Sequence, residues 1–578
     1  MIEKGADSMK KFPLLFPLLF LSIILSSCSR QEISPDLAAK ADLLWAQVEA
    51  SWEELEEKPA GEAGHVVFFS MSDGTSKAIV RYARGNTLAS AWDKALAKGD
   101  SAMRKFGKEP VWLKVDIVRE CIPCSANLLA NRIEQGLDWG FRQGIAFDSK
   151  FNVAFLEEEL NGSSIINYDQ GAFDAKFLQE QLAANELGSV KQSPAEFYLF
   201  RCNAWFCDEN NEVFDLAYDG YNQGQRMIEG VDGEYARELI DGSAKYLAAN
   251  VREDGRFIYD YYPQYGLSTD SYNIIRHAGA VWSMSQAYRL FPSEELRSSI
   301  VRAADYLVDS LDYNSDGAAF LRDRESEEYT LGGGGLAVLA FNEVQEALNT
   351  KNYQTAALAL GEGILFMQRE SGCFNQVLDM DFKVKEQFRT IYYDGEGTFA
   401  LCKLYGMTGD EKWLIAASKA MDYFIANDYV LFGDHWQAYS VNELTKYITD
   451  NQNYWDYAMA IVTENKASLV DRQYSSPTDL ELLMSVFETY TRRPDQASVS
   501  SAELETLFTG IRRTAKRQTN EFFYPEFAMY VLEPRRVLNT FFARNDFRIR
   551  IDDVQHNIGG LYLFQKDYDD LVRCGYER

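Results

Sequence analysis

Three short turns in the second half of the chain restrict its fold more than any other feature. Asp254-Gly255-Arg256-Phe257, Asp316-Gly317-Ala318-Ala319-Phe320 and Ser371-Gly372-Cys373-Phe374 place their glycines 62 and 55 residues apart. Each turn follows a helical pattern and leads through an irregular loop into a segment that is apolar on almost every face. Those segments begin at Asp270, at Gly332-Gly333-Gly334-Gly335 and at Asp394-Gly395-Glu396-Gly397. A helix that is apolar all round has to be buried by its neighbours. In this pattern the glycine is expected to close a helix in a left-handed turn, with the phenylalanine returning to the core. Less regular units follow around Trp455 to Ile461 and Thr478 to Tyr490, and a last helix starts near Asp552. A repeat long enough for two helices and their loops builds a solenoid or a closed ring. Residues 232–578 are therefore expected to form an all-α ring of about five to six helical hairpins.

Residues 61–231 have a different period. Val66-Val67-Phe68-Phe69-Ser70 and Ala78-Ile79-Val80-Arg81-Tyr82 flank a turn at Asp73-Gly74, the pattern of a β-hairpin. Thr87 caps a helix to about Phe106, Val111 to Val118 reads as a strand, and residues 144–156 read as a second hairpin. This is an α+β domain with an antiparallel sheet. Before it, Asp36 to Glu57 spaces Leu37, Ala41, Leu44, Trp45, Val48 and Trp52 as one helical face, expected to pack on the domain.

The first residues carry an export pattern. Met9-Lys10-Lys11 precedes the apolar run Phe12 to Leu25, about 14 residues where a bilayer span needs about 20. Leu25-Ser26-Ser27-Cys28 resembles the bacterial lipobox, which implies lipidation of Cys28 after removal of a signal peptide at 1–27. Residues 28–60 would then be the lipidated cysteine, a tether and the amphipathic helix. With Ser29 and Arg30 after the cysteine, the motif resembles the class sorted to the outer membrane. The expectation is an exported lipoprotein held to the membrane by Cys28, with an envelope protein as a candidate partner. In an exported chain Cys121, Cys124, Cys202 and Cys207 are disulfide candidates; a structural metal at this set is disfavoured. A net charge of -29 argues against nucleic acid, which needs clustered Lys and Arg.

The helix–Gly–Phe–loop–buried-helix rhythm, the abundant Tyr and Trp, and Arg276-His277-Ala278-Gly279 resemble the (α/α) toroid superfamily of carbohydrate-active proteins. Its members include six-hairpin glycosidases, unsaturated glucuronyl hydrolases, sugar 2-epimerases and the C-terminal domain of glucuronyl C5-epimerases. The likeness covers residues 232–578 and is architectural. It implies inner helices whose entries line a funnel that takes a polysaccharide, acidic or neutral.

The candidate residues sit at those entries. Asp270, Asp394, Glu396 and Asp552 are the candidate catalytic carboxylates, because glycoside chemistry uses a pair of them. Each also suits a helix N-cap. His277, His435 and His556, three of only four histidines, all fall at helix entries and are expected to share the cleft. His277 and His556 would assist catalysis. Tyr272, Asn273, Arg276, Tyr393, His435, Trp436, Arg472 and Arg550 are the candidate substrate contacts, the arginines suiting the carboxylate of a uronic acid. No HxH or HExxH pair anchors a metal and no cofactor fingerprint occurs, so neither is expected. The expected function is polysaccharide processing by carboxylate acid/base chemistry. The alternative is a non-catalytic glycan-binding, assembly or protein-interaction lipoprotein.

Overall fold

The computed structural model describes residues 33–51, 55, 61–135, 140–190, 196–220, 222–472, 476–544 and 547–576. The signal pattern, Cys28 and Trp52 lie outside these residues. No helix among them is long and apolar enough to cross a membrane.

The N-terminal domain is a seven-stranded antiparallel sheet with helices against it. Its strands are β1 (His65–Ser72), β2 (Ile79–Gly85), β3 (Trp112–Ser125), β4 (Gly144–Ala146), β5 (Ala154–Phe155), β8 (Glu196–Cys207) and β9 (Val213–Leu216). A separate small hairpin joins β6 (Ile166–Asn167) to β7 (Ala172–Phe173). The main order is β2-β1-β3-β8-β4-β5, with β9 also on β8, so β2 is a free edge. Strand residues alternate between faces, and both faces are apolar. Val67, Phe69 and Met71 pack under α1 (Pro35–Ala50) and α2 (Leu88–Lys105), where Leu37, Ala41, Leu44 and Val48 cover the sheet. Thr87 caps α2 through Ser90 N–H. The helices α3 (Ala126–Gln135), α4 (Glu157–Gly162) and α5 (Ala175–Ala184) complete the domain.

Residues 233–576 form a ring of six helical hairpins. Its outer helices are α6 (Gly233–Ala249), α8 (Glu294–Val308), α10 (Gln354–Met367), α12 (Glu411–Ala426), α14 (Gln452–Glu464) and α16 (Ser501–Gln518). Its inner helices are α7 (Ile274–Leu290), α9 (Leu331–Leu348), α11 (Tyr393–Thr408), α13 (His435–Leu444), α15 (Thr478–Arg492) and α17 (Ile551–Lys566). Each inner helix packs on the next, and α17 packs back on α7 and closes the ring. The apolar segments are thus inner because they are covered on both flanks and from outside. The glycine run explains the tightness at one point. A Cβ on Gly335 would lie 2.7 Å from the Glu396 carbonyl oxygen, so α9 and α11 approach to backbone contact.

Two sequence expectations need correction here. The recurrent glycines do not end helices; α6, α8 and α10 end at Asn250, Asp309 and Gln368. Gly255, Gly317 and Gly372 instead occupy left-handed turns of tight β-hairpins that follow (φ 84°, 82° and 101°). Phe257, Phe320 and Phe374 do return to the core. Nor is the ring purely helical. The loops before α9 and α11 pair into a five-stranded antiparallel sheet spanning Leu311–Glu386, which walls the entry end of the inner helices.

The long connection from α16 to α17 reaches across to the N-terminal sheet. Met529 and Tyr530 insert into the sheet's second apolar face beside Phe68, Phe200 and Phe206. The Tyr530 hydroxyl donates to Ser70 Oγ at 2.7 Å, and Arg226 pairs with fully buried Glu526 at 2.8 Å. Beneath Tyr530, Lys114 donates to Asp116 at 2.8 Å and to Glu158 at 2.7 Å, all three buried.

Candidate functional site

The first turns of α11, α13, α15 and α17 meet at one end of the ring. His556, in the second turn of α17, donates through Nδ1 to Glu481 Oε2 at 2.7 Å, and the two imidazoles of His435 and His556 stand 4.9 Å apart. His435 Nε2 lies 3.8 Å from the same Glu481 oxygen and has no hydrogen-bond partner. The other Glu481 oxygen accepts from the Tyr439 hydroxyl at 3.1 Å. Trp436 packs against both imidazoles and Trp282 lies behind it.

The two histidines are held in opposite states. Burial opposes charge on His556, but Glu481, Asp552 and Asp553 together lift its pKa above the ordinary histidine value. Burial, reinforced by the neighbouring His556, pushes His435 well below that value. The two rings are thus driven in opposite directions, His556 toward the charged donor and His435 toward the neutral acceptor. Environments that drive two titratable groups apart are what divide acid from base in a shared site.

A second carboxylate group lies behind the pair. Asp434 caps α13, accepting from Trp436 N–H through Oδ1 at 3.0 Å, and its Oδ2 is buried without a partner. Glu396 Oε2 is also buried and unpartnered, in the space left by Gly332, whose Cβ would fall 2.0 Å from it. Burial and Asp434 raise the Glu396 pKa well above the carboxylate range, and burial raises that of Asp434 likewise. Asp394 accepts from Gln376 and from the Tyr429 hydroxyl, and burial lifts it to about 6.

The raised Glu396 pKa has a consequence for stability. A carboxyl of this kind contributes stability that is fully present below its unfolded pKa and lost as pH rises through its folded value. The wild-type melting temperature should therefore fall between pH 5 and pH 8. Glu396→Gln should lessen that fall and be more stable than wild type by about 1–3 kcal/mol at pH 8, with little difference at pH 4. Denaturant melts at both pH values would show it, and an unaltered pH slope would refute it.

Arginines and exposed rings form the mouth. Asp552 is bound by Arg276 at 2.8 Å and by both Nε and Nη2 of Arg550, which hold it ionised below the ordinary range although it is buried. Arg548 and Arg550 also face Asp553. Three guanidiniums against two carboxylates leave positive charge at the mouth, where Arg276 is the most exposed of the five. Tyr392 lies 5.9 Å from His435 and is 43% exposed; Phe388 (51%) and Phe432 (36%) are also exposed, with rings tilted to each other 6.5 Å apart. Tyr393 is half-buried beside Glu396. Arg472 pairs with Asp479, which burial lifts to about 6 and which faces the Tyr392 hydroxyl.

The structure therefore gathers His435, His556, Trp436, Asp394, Glu396, Asp552, Arg276 and Arg550 at this end. Asp270 does not join them. It sits in an exposed bend, and Asn273 is the cap of α7, accepting from Arg276 N–H at 3.1 Å. His277 turns toward the outer helix α8 instead of the mouth. Its Nε2 donates to the Ala303 carbonyl at 2.8 Å, Nδ1 accepts from the Tyr272 hydroxyl at 2.6 Å, and burial lowers its pKa to about 4. The three-histidine cleft is thus a two-histidine one. Tyr272 is spent on His277 and on Phe257 N–H.

The expected disulfides are not formed: Cys121, Cys124, Cys202 and Cys207 are free thiols. Cys121 and Cys124 are three residues apart on one strand and Cys202 and Cys207 five apart on another, so each pair points to opposite faces. Across the ladder, Cys121 faces Phe200 and Cys202 faces Val118.

Sequence reading missed Glu481 and Asp434. A signal for Glu481 existed: Asp479-Leu480-Glu481 repeats, at the same positions of α15, the Asp394-Gly395-Glu396 that opens α11. Of possible metal ligands, His435, Glu481 and His556 place their donor atoms within 4.8 Å of one another. The 2.7 Å between His556 and Glu481 is a hydrogen-bond distance. Two ligands of one tetrahedral zinc stand about 3.4 Å apart, so this geometry fits a shared proton better than a cation.

Solved structures of similar fold act on sugars. A D-mannose isomerase is 12% identical, with 58% of this chain and 97% of that one covered and a TM-score of 0.45. A cellobiose 2-epimerase from Bacillus thermoamylovorans B4167 is 11% identical over 58% of this chain and 99% of its own, with a TM-score of 0.44. An unsaturated glucuronyl hydrolase specific for heparin is 12% identical over 59% and 98%, with a TM-score of 0.42. No protein-family model and no curated protein sequence matches the chain.

Proposed function

We propose that the ring is a carbohydrate-active domain that transfers protons on a carboxylated sugar, with His435 as base and His556 as acid. The observation that carries this reading is the pair of imidazoles 4.9 Å apart, their pKa values driven in opposite directions, with Glu481 orienting the second. His435 Nε2, buried and unpartnered, is an acceptor awaiting a donor. Exposed Tyr392, Phe388 and Phe432 offer ring faces for the C–H faces of a sugar. The positive balance at Arg276 and Arg550 suits a uronate carboxylate. The carboxyls of Glu396 and Asp434, whose pKa values burial raises, would supply hydrogen bonds behind the reacting centre. The lipobox at Cys28 supports placing the protein on the cell envelope, outer membrane included, as a lipoprotein.

A second reading, glycan binding without turnover, is favoured by the locking of Asp552 between two arginines. One experiment separates the two. The lipid-free full chain is incubated in D2O with a panel of uronate-containing and neutral oligosaccharides, followed by NMR and mass spectrometry. Deuterium entering a ring carbon, a new reducing end or an unsaturated product is expected with a uronate. Binding with no chemical change in any glycan would leave the non-catalytic reading standing and remove the enzymatic one.

A further inference from the structure

A cavity of about 550 Å³ opens on the N-terminal domain, far in sequence from the ring residues just described. It runs along the free edge of β2 from Val80 to Arg84, about 13 Å of strand, and is closed by α2 and by the loops at Asn152 and Asn185. Four cations line it: Arg81, Arg84, Lys98 and Lys105. Glu186 is the one carboxylate among the lining residues, and it already holds Lys105 at 2.5 Å and Arg81 at 3.8 Å. In a chain of net charge -29 this is a local reversal of the field. Burial and the like charges of Arg84, Arg81 and Lys94 depress the pKa of Lys98, so an anion beside it would relieve repulsion.

The shape narrows the ligand. The open edge of a sheet invites strand addition, but here its outward carbonyls are occupied. Arg81 donates to the Val80 carbonyl at 2.8 Å and Lys98 to the Tyr82 carbonyl at 3.0 Å. The cations are also spread out: Lys98 and Lys105 lie two turns apart on α2, about 10 Å. Charge spaced in this way matches a chain with a carboxylate on each unit better than one compact phosphate. A groove of this volume is of the size that holds small ligands.

We propose that this edge groove is a binding site for a stretch of polyuronate, separate from the ring. It stands on the groove's own geometry and does not depend on how the ring is read. As a non-catalytic anchor it would hold an acidic polysaccharide against a strongly acidic protein that otherwise repels it.

Calorimetric titration of the full chain with a short oligogalacturonate, a neutral gluco-oligosaccharide of equal length and inorganic phosphate tests it. The uronate is expected to bind with an affinity that falls as salt is raised, and the neutral sugar is not. In an Arg276→Ala background, which removes the ring's own uronate contact, Arg84→Glu with Lys98→Glu should weaken the remaining binding at least tenfold. Should the charge reversals fold poorly, Lys105→Ala, on an exposed face, should still weaken it several-fold. Uronate binding untouched by all these groove variants would overturn the proposal. So would complete displacement by equimolar phosphate, or binding to anionic phospholipid vesicles with none to the uronate.

Discussion

Exchanging either His435 or His556 for glutamine is expected to lower turnover about 100- to 10,000-fold, the usual range for removing a general acid or base. His556→Gln is the sharper test. A glutamine amide can donate to Glu481 in place of the imidazolium, but it carries no transferable proton. The loss should appear in kcat with KM little changed, because the aromatic and arginine contacts of the mouth remain. The double variant should be scarcely worse than either single one, since the two rings act as a unit. The pH profile gives an independent check. Activity requires His435 unprotonated and His556 protonated, so the acid limb lies below, and the alkaline limb above, the ordinary histidine pKa. In His556→Gln the alkaline limb should vanish. Retention of full activity by this variant, on any substrate the protein converts, would exclude the histidine pair from the chemistry.

The largest effect on stability is expected at Lys114. Its ammonium lies between Asp116 and Glu158, is fully buried, and sits under the Tyr530 ring at 5.6 Å where the N-terminal sheet meets the ring. Removing one partner of a buried ionic cluster leaves uncompensated charge and costs about 3–5 kcal/mol. Lys114→Met should lose that much at pH 8 in denaturant melts. The sign of the pH dependence follows from Asp116, whose pKa burial raises even with Lys114 present. A raised carboxyl contributes stability that is present below its unfolded pKa and lost as pH rises through its folded one. Without the ammonium Asp116 rises further, so the deficit of Lys114→Met should shrink toward pH 5. Replacing Asp116 and Glu158 as well with apolar residues should recover most of the loss, because an apolar cluster of similar volume avoids the desolvation penalty. A deficit under 1 kcal/mol at pH 8 would mean that water already compensates the cluster.

Much of this architecture is written in local sequence. Helices apolar on every face have no stable place except inside, and a sixty-residue rhythm of Gly-to-Phe turns leaves room for one hairpin per unit. Phe257, Phe320 and Phe374 are buried where that rhythm puts them. The two β-hairpins expected at residues 66–82 and 144–156 pair as strand alternation and turn residues dictate. The entries of the inner helices are legible too, since Asp394, His435 and Asp552 all lie within a residue or two of a helix start.

Which of those entry residues share a site was decided by tertiary structure. The start of a helix sets the rotation of every residue that follows. Capping α7 at Asn273 instead of Asp270 moves its first turn by three residues, close to a full turn along the axis. Asp270 is thereby left in solvent, while His277 faces α8 and fills its hydrogen bonds with Ala303 there and with Tyr272 on the loop before its own helix. His435, Glu481 and His556 meet only because α13, α15 and α17 pack side by side, bringing three consecutive hairpins to one end. Nothing within any one of them announces the other two. Free thiols on β3 and β8 follow the same rule, for strand register, and not the spacing of cysteines, fixes what each one faces. Local chemistry sets which elements form, and long-range packing sets the phase at which their side chains meet.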